Sequence, residues 1–156
     1  MPLELITLRC LRDNYAYLVH GAAGTALIDA PEAMPVLTEL EARGWGLDAI
    51  LLTHHHDDHV QAVTEIVART GARVIGHAAD AGGLPPLDVR ATPGVPLEIL
   101  GEPVEVIDVS GHTIGHVAFH LPQSKLAFTA DSLMALGCGR LFEGDAPTMW
   151  DSLSRL

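Results

Sequence analysis

The sequence predicts an α/β or mixed domain whose sheets are covered by helices, and three observations carry that prediction. Short apolar runs rich in β-branched and aromatic residues recur along the chain, amphipathic helical stretches are interspersed with them, and Gly and Pro separate the two kinds. The 156 residues are 48% hydrophobic and 19% charged, with a mean hydropathy of +0.26. That composition folds rather than remaining disordered, and the length fits one domain.

LELITL (3–8), YAYLVH (15–20) and TALID (25–29) read as strands separated by turn signals at Asp13-Asn14 and Gly21-Ala22-Ala23-Gly24, an antiparallel meander. After Pro31, Val36, Leu37 and Leu40 share one face of a helix that runs to Arg43 and stops at Gly44 and Gly46. AILLT (49–53) is a buried strand. A helix from Asp58 to about Thr70 follows, with Val60, Val63, Ile66 and Val67 at helical spacing and Gly71 as its stop. RVIGH (73–77) is the next strand. Residues 80–103 read as loop with a strand at 97–100, after which VEVIDV (104–109), HVAFHL (116–121) and KLAFT (125–129) give three more strands. Pro147 opens a last helix that reaches the end of the chain.

Composition also bounds the partners. Twenty acidic residues against nine basic ones give a formal net charge of −11, a field that repels phosphate backbones and anionic membrane surfaces, so neither nucleic acid nor membrane is expected. No apolar run approaches the ~18 residues that a membrane helix requires. The first residues show neither a basic n-region nor an apolar h-region, which points to a cytoplasmic address. Cys10 and Cys138 lie too far apart to form a disulfide framework, and each is expected as a small buried hydrophobe.

Chemistry concentrates in Thr53-His54-His55-His56-Asp57-Asp58-His59, where a buried strand gives way to a helix, the place where α/β architectures hold ligands. Alternation along an extended chain puts His54, His56 and Asp58 on one side and turns His55 and Asp57 away. A helix start at Asp58, a good N-cap residue, swings His59 toward the same side. Imidazole and carboxylate donors suit zinc, iron or manganese, and four donors from one segment exceed the three protein ligands usual for one catalytic metal, which points to two ions. The plain alternative, a surface histidine tract with adventitious metal affinity, is disfavoured by the apolar strand before the cluster and the amphipathic helix after it. SGHTIGH (110–116) follows the strand VEVIDV and offers His112, and FTADSL follows KLAFT and offers Asp131, whose carboxylate can bridge two metals. Singly, a loop histidine or aspartate is more often structural; three strand-end sites in one fold change that weighting.

THHHDDH, GHTIGH and FTADSL, followed by GCGRLFEG and preceded by LRDNYAYLV and LIDAP, resemble the metallo-β-lactamase superfamily and, within it, the glyoxalase II (hydroxyacylglutathione hydrolase) family. The resemblance spans essentially the whole chain and implies a four-layer αββα sandwich. It implies that His54, His56 and His112 hold a first metal and Asp58 and His59 a second, with Asp131 bridging; two divalent ions, zinc first and iron or manganese as alternatives, are the cofactors. Asp58 and Asp131 are the implied catalytic residues. Arg140 falls where the family places a basic residue beside glutathione, and Phe142 where it often has a tyrosine. Asp29 matches an acidic residue near the ligands, an acceptor for an imidazole N–H or a turn cap. His116 matches the second histidine of the GHTxGH pattern, in a supporting or a structural role. The family's last ligand histidine, in a GHEY-like segment, and its C-terminal helical substrate-binding domain have no counterpart in this sequence, so residues 1–156 are expected to form an incomplete catalytic domain with weak activity of its own.

The chemistry so implied is hydrolysis of a glutathione thioester, S-D-lactoylglutathione to D-lactate and glutathione, by a metal-bridging hydroxide. Alternatives are a persulfide dioxygenase-like mononuclear iron enzyme, which carries a different segment after GCGR, and a metal-binding remnant with little catalysis. A nuclease of the same fold is disfavoured by the charge.

Overall fold

Alternation in the first strands sets up two cores at once. In NYAYLVHG, Ala16 and Leu18 pack on one side and Tyr17 and Val19 on the other. The computed structural model, which describes residues 3–156, turns that alternation into two stacked sheets. β1 (Glu4–Cys10), β2 (Asn14–Gly21) and β3 (Gly24–Ile28) form the expected antiparallel meander. α1 (Ala33–Arg43) carries the chain to β4 (Ala49–Leu52), parallel to β3. α2 (Asp57–Val60) and α3 (Val63–Thr70) lead to β5 (Arg73–His77), and β6 (Val89–Ala91) closes the six-stranded sheet, both again parallel. The second sheet is antiparallel, in the order β10 (Leu126–Phe128), β9 (Val117–Leu121), β8 (Glu102–Asp108), β7 (Leu97–Ile99). α4 (Ala146–Leu153) follows, its start capped by Asp145, which accepts from the Thr148 N–H.

β4 shows why its sequence is apolar at every position. Ile50 and Leu52 meet Val36, Leu40, Val63 and Ile66 of the helices, while Ala49 and Leu51 meet Val104, Val106, Val117 and Phe119 of the second sheet. A parallel strand covered on both faces cannot alternate with polar residues. Helix, sheet and sheet therefore stack as the first three layers of the expected αββα sandwich. α4 lies at the end of the second sheet, where Ser152 Oγ donates to the Ser110 carbonyl. β3, β4, β8 and β10 all end on one side of the sandwich, and at that side the Val117 N–H donates to the Thr53 carbonyl at 3.0 Å, tying the two sheets together.

Three expectations are corrected. The helix expected over residues 58–70 is two helices, and it starts at Asp57 with His56, not Asp58, as N-cap. Ladder bonds needed for continuity are diverted to a neighbouring segment, because Ala30 N–H donates to the His59 carbonyl and Ala62 N–H donates to the Ala30 carbonyl. β6 falls within the stretch read as loop, held as a short parallel edge on β5. Cys10 is buried as expected, but Cys138 is exposed, since it lies in an irregular segment at the surface; both are free thiols.

Candidate metal centre

The end of β4 delivers the histidine segment into the gap between the sheets, and Asp29 organises the turn. Asp29 follows β3 with φ of 57°, a left-handed conformation that Asp tolerates better than most residues. Its Oδ1 accepts from the Thr53 N–H and its Oδ2 from the Thr53 hydroxyl, each at 2.8 Å. Oδ2 also lies 2.8 Å from His59 Nδ1. The sequence expectation of an acceptor behind an imidazole thus coincides with the position that the strand end gives this side chain.

Asp131 Oδ2 is the hub of the site. His112 Nε2 lies 3.2 Å from it, His59 Nε2 3.4 Å and His54 Nε2 3.6 Å. His56 Nδ1 is 2.9 Å from His112 Nε2, and Asp58 Oδ2 is 3.8 Å from His59 Nε2. All six residues singled out as ligands therefore meet at one place, with His54, His56, His112 and Asp131 offering ligand atoms within 4.8 Å of one another. Asp131 sits in a short 3₁₀ turn after β10, and His112 in the loop after β8.

Proton positions follow from what stands behind each ring. A backbone carbonyl can only accept, so His112 Nδ1, 2.6 Å from the Arg140 oxygen, carries the hydrogen and leaves Nε2 to face Asp131. The Thr53 hydroxyl gives its proton to Asp29 and so accepts from His54 Nδ1 at 3.0 Å. His59 Nδ1 donates to Asp29 in the same way. Three Nε2 atoms are thereby aimed at one carboxylate oxygen.

Burial, reinforced by the His116 and His59 rings, holds His54 far below the ordinary histidine value, keeping it neutral. Burial opposes charge on His59 as well, but Asp29 and Asp131 outweigh it and raise the group to about 10. His112 is raised, against burial, by Asp131 and the Arg140 carbonyl, and His56 is lowered by burial and its neighbour His112. Burial alone would raise Asp131, yet hydrogen bonds from His112 and His59 bring it below the carboxylate range. His116 is fully buried and stacked on His54 at 4.5 Å and 12°; burial lowers it to about 4.

Arg140 and Phe142 lie on an irregular strap over residues 138–145. Both are exposed, with the Arg140 guanidinium 5.0 Å from the Phe142 ring centre, and Phe142 packs edge-on against His56 and His112 at 5.3 Å each. A cavity of about 530 Å³ opens on the other side of Asp131 and His59, lined in part by Tyr15, Tyr17, Phe128 and Met134. Sequence reasoning did not single out Asn14, whose side-chain amide donates to both the Asp58 carbonyl and Asp58 Oδ2, at 3.1 and 2.9 Å. Its place in LRDNYAYLV was the available signal. Nor did it find the Arg140 carbonyl, which no residue type reveals.

A divalent cation fits this donor set. Among the described residues His54 Nε2 is buried without a hydrogen-bond partner, a lone pair that faces a carboxylate across 3.6 Å, and the groups behind His54, His59 and His112 hold those rings through Nδ1 with Nε2 toward Asp131.

A histidine and aspartate cluster at the strand ends of a two-sheet sandwich defines a class of metal-dependent proteins, and the family model described as the metallo-β-lactamase superfamily matches residues 11–156; the chain belongs to that superfamily. Particular relatives narrow the comparison. It is 61% identical to the hydroxyacylglutathione hydrolase of Ruegeria pomeroyi and 63% identical to that of Fuscovulum blasticum, each match covering 100% of this chain and 62% of the relative. The chain thus spans about 62% of the length of these curated relatives. Among solved structures, TTHA1623 in a di-iron-bound form superposes with a TM-score of 0.81 at 34% identity, over 97% of this chain and 84% of that one.

Proposed function

We propose that the chain belongs to the metal-binding catalytic domain, incomplete here, of a hydroxyacylglutathione hydrolase, which cleaves a glutathione thioester such as S-D-lactoylglutathione to D-lactate and glutathione. The observation that carries this reading is the convergence of three imidazole Nε2 atoms on Asp131 Oδ2 with Asp58 alongside. The names of the curated relatives support the substrate class.

In this reading His54, His56 and His112 hold one ion, Asp58 and His59 a second, and Asp131 both, with zinc first and iron or manganese as alternatives. Bound there, the ions supply Lewis acidity and a water acidic enough to attack near neutral pH. Asp29, Thr53 and the Arg140 carbonyl keep the three rings oriented, so no reorganisation is needed as charge develops. Asp58 orients the attacking water through a carboxylate oxygen. Arg140, without a carboxylate partner among the described residues, offers its guanidinium to a glutathione carboxylate, and Phe142 packs against the substrate. The departing thiolate, with a free-thiol pKa of about 8.5, needs no general acid. Two free cysteines accord with a reducing compartment such as the cytoplasm.

Metal analysis combined with S-D-lactoylglutathione turnover on this chain tests the proposal. Slow hydrolysis that depends on metal and falls at least ~100-fold in Asp131→Ala is expected. Loaded protein without thioesterase activity, or oxygen uptake with glutathione persulfide instead, would overturn it.

A further inference from the structure

His55 is turned away from the metal cluster, and the structure gives it partners on both ring nitrogens. Nδ1 lies 3.0 Å from Asp80 Oδ1, and Nε2 lies 3.3 Å from Glu143 Oε1. Asp80 is buried and in turn anchors the loop that carries His112: its Oδ1 accepts from the Gly115 N–H at 3.1 Å and its Oδ2 from the Thr113 hydroxyl at 3.4 Å. Glu143 Oε2 accepts from the Ile114 N–H at 2.7 Å. Packing leaves His55 little freedom, for a Cβ on Gly83 would lie 2.8 Å from its ring.

Glu143 belongs to the strap over residues 138–145, which has no ladder or helix of its own. Point contacts alone fix such a segment. At its start the Gly139 N–H donates to the Asp131 carbonyl, in its middle the Arg140 carbonyl receives His112 Nδ1–H, and at its end the Gly144 N–H donates to the Gly111 carbonyl. The His55–Glu143 contact ties the strap to the histidine segment itself. Each nitrogen of His55 has its own carboxylate, an arrangement that bridges two groups, and one ligand atom from each of His55, Asp80 and Glu143 lies within 4.8 Å of the others.

We propose that His55 is a positioning residue, a brace between Asp80 and Glu143 that fixes the strap and, through it, the orientation of the His112 imidazole and the placement of Arg140 and Phe142. For substrate placement this rests on the hydrolase reading; for the strap and His112 it does not. The histidine of the THHHDDH segment that is left out of the proposed ligand set thus sets the geometry of His112, 57 positions away.

The test is amide exchange and histidine ring nitrogen NMR on the 156-residue chain, for wild type, His55→Ala, His55→Gln, Glu143→Gln and the His55→Ala/Glu143→Gln pair. Expected are a rise of at least ~10-fold in exchange at the Gly139 and Gly144 amides in His55→Ala and Glu143→Gln, loss of the single His112 Nδ1–H tautomer, and unchanged exchange in β9. The pair should do no more than either single change, and His55→Gln, which keeps a donor, should recover part of the protection. Unchanged strap exchange in His55→Ala, with β9 intact, would overturn the proposal, as would full additivity of the pair. Zinc titration provides a further check: an extra equivalent abolished by Glu143→Gln would make the cluster a metal site and overturn the brace. If the wild-type chain hydrolyses thioesters, KM should rise in Glu143→Gln more than kcat falls. Should it not hydrolyse them, the function proposed above fails while the exchange result still decides the brace.

Discussion

Asn14 shows how a side chain outside the metal cluster can govern it. Its amide spans to Asp58 across 44 positions, donating to the carboxylate that the site would use as a ligand, while Asp58 itself is largely exposed and, among the described residues, has no other side chain donating to it. Removing the donor frees the carboxylate to rotate. Asn14→Ala should weaken binding of the second metal equivalent by roughly 10- to 100-fold in chelator competition, the range found for groups that hold ligands in place. Its effect on unfolding in urea should stay within about 0.5 kcal/mol, because Asn14 is only half-buried and anchors no core residue. At this scale the residues that meet around Asp131 were legible, since strand ends are local properties of the sequence, although Asp58 lies in α2 and not on an extended chain. Their supports were not. Asn14 reaches Asp58, and a carbonyl of Arg140 reaches His112, through contacts that only the folded chain creates.

Among the elements, strands and helices with strong apolar periodicity were legible, and departures have identifiable causes. The helix after His56 breaks because Ala30, on a separate segment, takes the hydrogen bonds of His59 and Ala62. No periodicity within residues 58–70 encodes that. β6 is too short to alternate recognisably and exists because β5 offers an edge. The strap allows a sharper test. A Cβ on Gly139 would collide with the Asp131 carbonyl oxygen and lie 3.0 Å from His112 Nδ1. Gly139→Ala should therefore push the strap off the hub, lowering stability by about 1–3 kcal/mol in urea unfolding and weakening metal binding in chelator competition. At the start of the SGHTIGH loop, Asp108 accepts from the Ser110 N–H and hydroxyl and pairs with Arg155 at 3.1 Å. Burial would raise its carboxyl, but the Ser110 bonds and Arg155 bring it below the ordinary value. A depressed carboxyl contributes stability above the unfolded value of ~3.9 and loses it as pH falls through the folded one. The stability gap between wild type and Asp108→Asn should accordingly be constant from neutral pH to about pH 4 and shrink below it, as read from urea midpoints.

For the whole molecule, the proposed ligands come from both sheets, so an ion held by them would link the two. His54, His56, Asp58 and His59 follow β4 of the first sheet, whereas His112 and Asp131 follow β8 and β10 of the second. Metal that binds only the assembled site stabilises the chain as a unit. At a hundredfold excess over Kd this amounts to about 2.7 kcal/mol, or a rise in Tm of roughly 5–10 °C for a chain of this length. Calorimetry with zinc and with chelator measures it, and His112→Ala and Asp131→Ala should both reduce the rise, Asp131→Ala the more, because its oxygen meets three rings.

That a single oxygen of Asp131 collects rings from both sheets also orders events in time. The first sheet is complete by Ala91, so a chain folding from its N-terminus can assemble His54, His56, Asp58 and His59 while residues 112 and 131 are still unstructured. Until the second sheet docks and the Val117 N–H finds the Thr53 carbonyl, His112 and Asp131 cannot meet the rings that the first sheet holds. In the proposed metal centre, capture of an ion would then come last, a check that both halves have come together in register.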